Sequence, residues 1–371
     1  MLAGLIARLR IAPSQGVSNV MEAIALGNIQ FSPRTTVSRI ASSWAAIAGG
    51  VSIGREGPLI EVGGTLGARF GRALGVSLNE TRVLVGAGTA AGFAAAYNTP
   101  FAAVLFVLES IAGIAAPELL LPVMAASVGA TAIVRGTLGA GPIYGQRSFG
   151  LDSNAEFLFV FGLGVAAALV AILFKWVLAR LEQWFEGRVI PQPFRAMIGG
   201  LVVGVVAVAL PRVVGNGYEP LNEILDAPTS VVTLLVLGAA KVLVTSTSVA
   251  SGIPGGIFTP MLFVGAALGS SCAQLLPGAN AGSYALIGMA AATAANIHAP
   301  LTAAVMVFEL SGDYGIVLPL LLVTVVATAV SRALGSESLY ETELRKRGLG
   351  WDLTLEGRRI TPDADSHKKS A

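Results

Sequence analysis

The chain has 371 residues, of which 54% are hydrophobic and 12% charged, with a mean hydropathy of +0.73 and a formal net charge of +2. Soluble domains carry about a quarter of their residues as charges, so the composition excludes a soluble globular protein and indicates an integral, multi-pass membrane protein. The small net charge excludes nucleic acid as a partner, and the single cysteine, Cys272, supports neither an intrachain disulfide nor a metal site.

In chain order, Met1 to Arg10 is too short for a cleaved signal peptide. Ser14-Gln15-Gly16-Val17-Ser18 follows as a polar break. Gly54-Arg55-Glu56-Gly57-Pro58 then interrupts neighbouring sequence, Ala45 to Val51 and Leu59 to Leu66, that is nearly all apolar or small. A charge at membrane depth costs on the order of 3 kcal/mol even on lenient insertion scales, so Glu56 is a functional-site candidate. Stretches long enough to span, or nearly so, run at Phe157 to Leu178, Ala196 to Leu210, Val231 to Val249 and Ile316 to Val330. Shorter ones, broken by Gly and Pro, run at Leu59 to Leu66, Val83 to Ala96, Phe101 to Leu108, Met261 to Leu268, Leu286 to Ala295 and Leu301 to Phe308. Helices too short to cross must be shielded by protein or line a cavity, and discontinuous helices point to a transport site. Residues 341–371 hold seven Lys/Arg and six Asp/Glu. They read as a solvated tail, with Arg345-Lys346-Arg347 on the cytoplasmic side by the positive-inside rule.

The chain repeats itself. Gly88 to Pro100 resembles Gly288 to Pro300, and Glu109 and Glu309 follow at the same offset of 200. Pro58-Leu-Ile-Glu-Val-Gly63 matches Pro260-Met-Leu-Phe-Val-Gly265 at 202, and Gly16 matches Gly217 at 201. The expected organisation is a first repeat over 1–150, a second, inverted repeat over 151–347, and a polar tail over 348–371. Glu56 and Gly255-Gly256-Ile257-Phe258-Thr259-Pro260 become equivalent turns that face each other and open helices. Uncapped helix N-termini bind anions through free N–H groups and the positive dipole end, so the expected substrate is an anion.

At Gly54-Arg55-Glu56-Gly57-Pro58, Gly255 to Pro260 and Tyr340 within Ser338-Leu339-Tyr340, the chain resembles the CLC family of chloride channels and chloride/proton antiporters, over roughly residues 8–347. The resemblance implies an all-α membrane fold of two inverted repeats with tilted, discontinuous helices, assembled as a homodimer with one anion pathway per subunit. It implies that Glu56 is the outer gate, filling an anion site when ionised and leaving it when protonated. The backbone amides of Ile257 and Phe258 and the hydroxyl of Tyr340 would coordinate a bound chloride. Gly54, Arg55, Gly57, Pro58, Gly256 and Pro260 support the two turns. No cofactor is implied beyond that anion; lipid and, in the antiporter reading, protons are the other partners. A short chain of this kind belongs in a bacterial inner membrane.

Three departures qualify the resemblance. Where the family has Gly-Ser-Gly-Ile-Pro, this chain has Ser14-Gln15-Gly16-Val17-Ser18, so Gln15 replaces the coordinating serine while Gly16 is kept. The longer amide bears on anion size, leaving chloride, bromide, nitrate and fluoride open. Where coupled antiporters have a second glutamate, this chain has Ser110 after Glu109, and a hydroxyl carries no proton charge. That favours a passive anion channel, with a weakly coupled or rerouted chloride/proton antiporter as the alternative and an inactive truncated homologue as the third reading. Lastly, two long apolar segments precede Gly217 but have no full counterpart before Gly16, so the first repeat is expected to lack helices and to expose a lipid-facing groove.

For the remaining polar residues structural roles are expected. Glu109 and Glu309 receive backbone N–H groups or an Arg, Arg55 satisfies carbonyls or another carboxylate, and Lys175 and Lys241 snorkel or pair at helix ends. His298 serves a helix end, and Gly63, Gly67, Gly265 and Gly269 allow close helix packing. With His298 and His367 as its histidines, the chain offers no nucleophilic or metal constellation, and an enzyme is not expected.

Overall fold

The computed structural model describes residues 16–112, 117–145, 147–226, 229–354 and 357–362. Its helices, in order, are α1 (Val17–Leu26), α2 (Pro33–Ala48), α3 (Glu56–Leu74), α4 (Leu78–Tyr97), α5 (Pro100–Leu105), which runs into a π-helical turn over Phe106–Ala112, and α6 (Pro117–Leu138). There follow α7 (Glu156–Glu186), α8 (Gln192–Ala209), α9 (Tyr218–Asp226), α10 (Val231–Ala250), α11 (Phe258–Ala273), α12 (Ala281–Ile297), α13 (Pro300–Ser311), α14 (Val317–Ala333) and α15 (Leu339–Arg345). The segment read from sequence as a solvated tail begins with an antiparallel hairpin, β1 (Leu349–Thr354) and β2 (Gly357–Pro362), with Leu349 opposite Pro362.

Among the described residues, five helices are long and apolar enough to cross a membrane. Four match the long apolar runs of the sequence. The fifth, Glu118–Leu138, escaped that reading because Pro122 and Arg135 interrupt it. These helices turn large apolar side chains outward, with Leu121 at 75% and Val208 at 88% exposure, as a lipid-facing surface requires.

The repeat is visible helix by helix. Starts at residues 17, 33, 56, 78, 100 and 117 recur at 218, 231, 258, 281, 300 and 317. Glycine explains the central pairs. A Cβ on Gly63 would stand 1.8 Å from the Gly88 carbonyl oxygen, and one on Gly265 would stand 2.3 Å from that of Gly288. The α3–α4 and α11–α12 backbones therefore touch, the close approach that drives association where lipid offers no hydrophobic gain. Helices α4 and α12 end alike, on Asn98 (φ 57°) and His298 (φ 54°) in the left-handed region. Asn98 tolerates that conformation and its Oδ1 accepts from Arg135 Nε at 2.9 Å, while His298 Nε2 bonds Ser331 Oγ at 3.0 Å.

The repeats also lock reciprocally. Glu109 accepts from the Leu301 and Thr302 amides at 3.1 and 2.7 Å at the start of α13, and Glu309 accepts from the Phe101 and Ala102 amides at 3.0 and 2.8 Å at the start of α5. Each carboxylate caps the other repeat's helix, neutralising its positive end. Helix α7 packs against α12, and among the described residues α3 and α4 line an open apolar groove of about 530 Å³ beside Leu66, Gly67, Phe70 and Leu84.

Gly63→Ala is expected to lower the thermal unfolding midpoint in detergent, costing about 3 kcal/mol by overpacking. Gly129→Ala, whose Cβ meets nothing within 4 Å, serves as a control that leaves the midpoint unchanged or raises it. Equal midpoints for Gly63→Ala and the parent would contradict backbone contact at this site. Glu109→Ala and Glu309→Ala should each cost about 2 kcal/mol in the same assay, since each frees a pair of helix-start amides. A loss from one and none from the other would contradict the reciprocal capping.

Candidate functional site

The two turns singled out in the sequence meet. Gly54 N donates to Gly256 O at 2.7 Å and Gly256 N donates to Gly54 O at 2.9 Å, a single antiparallel bridge joining the repeats. Each turn then opens a helix, α3 from Glu56 and α11 from Phe258, and neither N-cap residue, Arg55 or Ile257, caps its own helix with its side chain. Both helices therefore present free N–H groups near the bridge.

Glu56 supplies what α11 lacks. Its Oε1 accepts from the Phe258 amide at 2.8 Å and the Thr259 amide at 3.4 Å, and its Oε2 accepts from the Thr259 hydroxyl at 3.2 Å. The carboxylate is 3% exposed, and its oxygens stand where a free anion would sit on this helix end. Its cradle requires glycine. A Cβ on Gly54 would lie 2.0 Å from Oε2, and one on Gly256 would lie 2.1 Å from Oε1. At Gly57 a Cβ would meet the Gly256 amide nitrogen at 3.5 Å, an ordinary contact, so this glycine is not forced by space. Pro58 and Pro260 are buried in the opening turns of the two helices, where a missing N–H costs nothing.

Arg55 is turned away from the carboxylate. Its Nη2 donates to Ala96 O at 2.8 Å, and its guanidinium lies 5.4 Å from the Tyr218 ring centre, the carbonyl-satisfying role expected of it. The second coordination layer was missed in the sequence. The Tyr97 hydroxyl bonds Thr259 Oγ1 at 3.0 Å, so a buried tyrosine orients the threonine that holds Glu56. Tyr97 could have been suspected, as a polar tip in a run of alanines before the Asn98 cap.

Ile257 and Phe258 sit at the start of α11, and the carboxylate engages the amides of Phe258 and Thr259. Tyr340, on α15, is buried and reaches the site through stacked rings. Phe258 meets Phe93 at 5.8 Å, Phe93 meets Phe106 at 4.6 Å, and Phe106 meets Tyr340 edge-on at 6.1 Å. Gly16 is the N-cap of α1 and provides no side-chain cap. That helix end is tied to α15 by Ser18 Oγ donating to Glu343 Oε2 at 2.6 Å. Gln15 lies outside the described residues. Ser110 is fully buried in the π-helical turn, next to Glu109. Among the described residues no group of three or more His, Cys, Asp or Glu is arranged to hold a metal.

Of the two roles expected for the lysines, snorkelling and pairing at a helix end, the structure shows pairing with backbone carbonyls. Lys241 is fully buried and donates to Val213 O at 3.0 Å and Gly215 O at 2.8 Å, and Lys175 donates to Glu337 O at 2.6 Å. Backbone carbonyl oxygens thus receive both ammonium groups, that of Val213 at the end of a short 3-10 helix.

The family model for the voltage gated chloride channel matches residues 1–332. A ClcB-like protein of Ralstonia nicotianae is 39% identical over 93% of this chain and 83% of its own length. The voltage-gated ClC-type chloride channel ClcB of Salmonella dublin is 31% identical over 87% of this chain and 79% of its own. Among solved structures, a slow cyanobacterial Cl−/H+ antiporter superposes with a TM-score of 0.87 at 24% identity, over 93% of this chain and 85% of that one. A CLC-type fluoride/proton antiporter gives 0.75 at 24% identity, over 88% and 81%. The helices described above therefore have the CLC fold of two inverted repeats, and the chain belongs to the voltage-gated chloride channel, or CLC, family of integral membrane anion-transport proteins.

Proposed function

We propose that this protein conducts chloride or a similar monovalent anion through a pathway gated by Glu56. One observation carries the reading: the Glu56 carboxylate takes the amides of Phe258 and Thr259 for itself. A carboxylate and a halide carry the same charge and want the same donors. Ionised Glu56 therefore excludes the anion, and protonation removes the charge that holds Glu56 there, leaving a neutral carbonyl oxygen as a weaker acceptor that an anion can displace. Acid then opens the site and alkali closes it.

The anion released into the pathway is coordinated by the amides at Ile257 and Phe258, the Tyr340 hydroxyl and, from α1, Gln15 and Gly16. Neutral donors bind an anion without trapping it as a full positive charge would. On the inner side, Ser110 holds no exchangeable charge, which supports passive conduction. A chloride/proton antiporter with weak or rerouted coupling is the second reading, supported by the solved antiporters of the same fold. The working unit is a homodimer in a bacterial inner membrane, each subunit with its own pathway, surrounded by lipid.

In proteoliposomes, Glu56→Gln should raise anion flux at neutral pH and flatten its pH dependence, because the amide mimics the protonated acid. Unchanged pH dependence would refute the gate. Tyr340→Ala is expected to weaken chloride binding about tenfold, or about 1.4 kcal/mol, by isothermal titration with the fold intact. Undiminished affinity would remove Tyr340 from the site. The reversal potential in a planar bilayer should follow the chloride gradient and ignore a pH gradient; movement with pH would replace the channel reading with the antiporter.

A further inference from the structure

The carboxylate of Glu56 is held by a side chain as well as by backbone. Thr259 Oγ1 donates to Glu56 Oε2 at 3.2 Å, and the Tyr97 hydroxyl lies 3.0 Å from the same Thr259 oxygen. An ionised carboxylate only accepts, so the single hydroxyl hydrogen of Thr259 is spent on Glu56. The hydrogen between the two hydroxyls is then that of Tyr97, and the chain runs one way, from Tyr97 to Thr259 to Glu56. Donation into a hydroxyl strengthens the bond which that hydroxyl itself donates. Both residues are fully buried, and the Tyr97 ring is fixed against Phe93 at 5.1 Å and Phe258 at 5.8 Å. The hydroxyl of Thr259 is therefore aimed at Glu56 by a tyrosine that cannot easily turn away.

The other repeat provides an internal comparison. At the offset of 202 Thr259 answers to Gly57, and at the offset of 200 Tyr97 answers to Ile297, which is also buried. The fold thus closes around an isoleucine at the place of Tyr97 and needs no side chain at the place of Thr259. In that repeat the residue equivalent to Glu56 is the apolar Phe258. Both hydroxyls stand on the side that receives a carboxylate, and both are missing from the side that does not.

We infer that Thr259 is a ligand of the gate, that Tyr97 is its positioning residue, and that the pair sets how acid the medium must become before Glu56 releases α11. This inference rests on the reading of Glu56 as the gate. The backbone amides serve Glu56 and an incoming anion alike, whereas the hydroxyl forms a charge-assisted O–H···O− bond with the carboxylate, one of the stronger kinds. It weights the contest toward the closed gate. The titratable groups that face Glu56 from the helices packed around it are the phenols of Tyr97 on α4, Tyr218 on α9 and Tyr340 on α15. Phenols carry no charge in the range where a carboxylate titrates, and Arg55, the neighbour of Glu56, is turned to the Ala96 carbonyl. The Thr259 hydroxyl is left as the side-chain group that distinguishes ionised from protonated Glu56.

The test is the pH profile of chloride flux in proteoliposomes. Thr259→Val keeps the side-chain shape and removes the hydroxyl, so the opening midpoint should move up by about one pH unit, a tenfold lower proton concentration. Thr259→Ser should restore the parent midpoint. Tyr97→Phe should move it in the same direction by about threefold in proton concentration, and should add nothing in the Thr259→Val background, because Tyr97 acts through Thr259. A Thr259→Val midpoint equal to the parent's overturns the inference, as does a Tyr97→Phe shift of equal size in both backgrounds. Should Thr259→Val not fold, Tyr97→Phe, which removes a single oxygen atom, carries the test, and an unmoved midpoint there overturns the inference. Failure of the gate reading shows itself separately, as a Glu56→Gln profile that keeps the parent's pH dependence. A flattened Glu56→Gln profile beside an unmoved Thr259→Val midpoint refutes the role of the hydroxyl alone.

Discussion

A carboxylate from one repeat rests on the first amides of a helix from the other, and the rest of the structure serves that contact. It requires α11 to begin without a cap of its own, at Ile257, and α3 to begin within reach of it. The bridge between Gly54 and Gly256 brings the two starts together, and glycine at both positions leaves room for the Glu56 oxygens, which a Cβ at either would overlap. Burial makes the contact consequential. Away from water the charge must be met by fixed donors or be lost to a proton, so whether Glu56 or an anion holds the amides becomes a question of protonation.

Around this contact the two repeats play reciprocal parts. Glu109 and Glu309 cap each other's helices, and the glycine pairs 63–88 and 265–288 bring backbones into contact at equivalent depths. The same frame then carries unlike side chains where the two halves do different work. Glu56 has no acidic counterpart at Phe258, and Tyr97 and Thr259 have no hydroxyl counterparts at Ile297 and Gly57. Duplication supplies the scaffold, and departures from it mark the places where charge is used.

Much of this was legible in the sequence because membrane burial makes polar residues expensive and therefore informative. The offset of 200 to 202 identified the facing turns, and glycines flanking Glu56 signalled a backbone approach that the structure realises. Other features were hidden for physical reasons. Helix α6 is broken as a sequence pattern by Pro122 and Arg135, yet it runs unbroken from Pro117 to Leu138. Thr259 joins the contact through its amide and its hydroxyl because side-chain reach, which spacing does not encode, decides which donors Glu56 meets. Tyr97 acts through Thr259, 162 residues away in sequence, and no local pattern joins them. The C-terminal hairpin lies in a segment whose charge content reads as tail.

The central claim is that the Glu56 side chain occupies an anion's place. Anomalous diffraction from crystals of the Glu56→Gln protein grown in bromide tests it most directly. A bromide peak within hydrogen-bond reach of the Phe258 and Thr259 amides, missing from the parent protein at high pH, is the result this account predicts. No peak there in the variant, or a bromide on those amides beside an unmoved Glu56 in the parent, would contradict it.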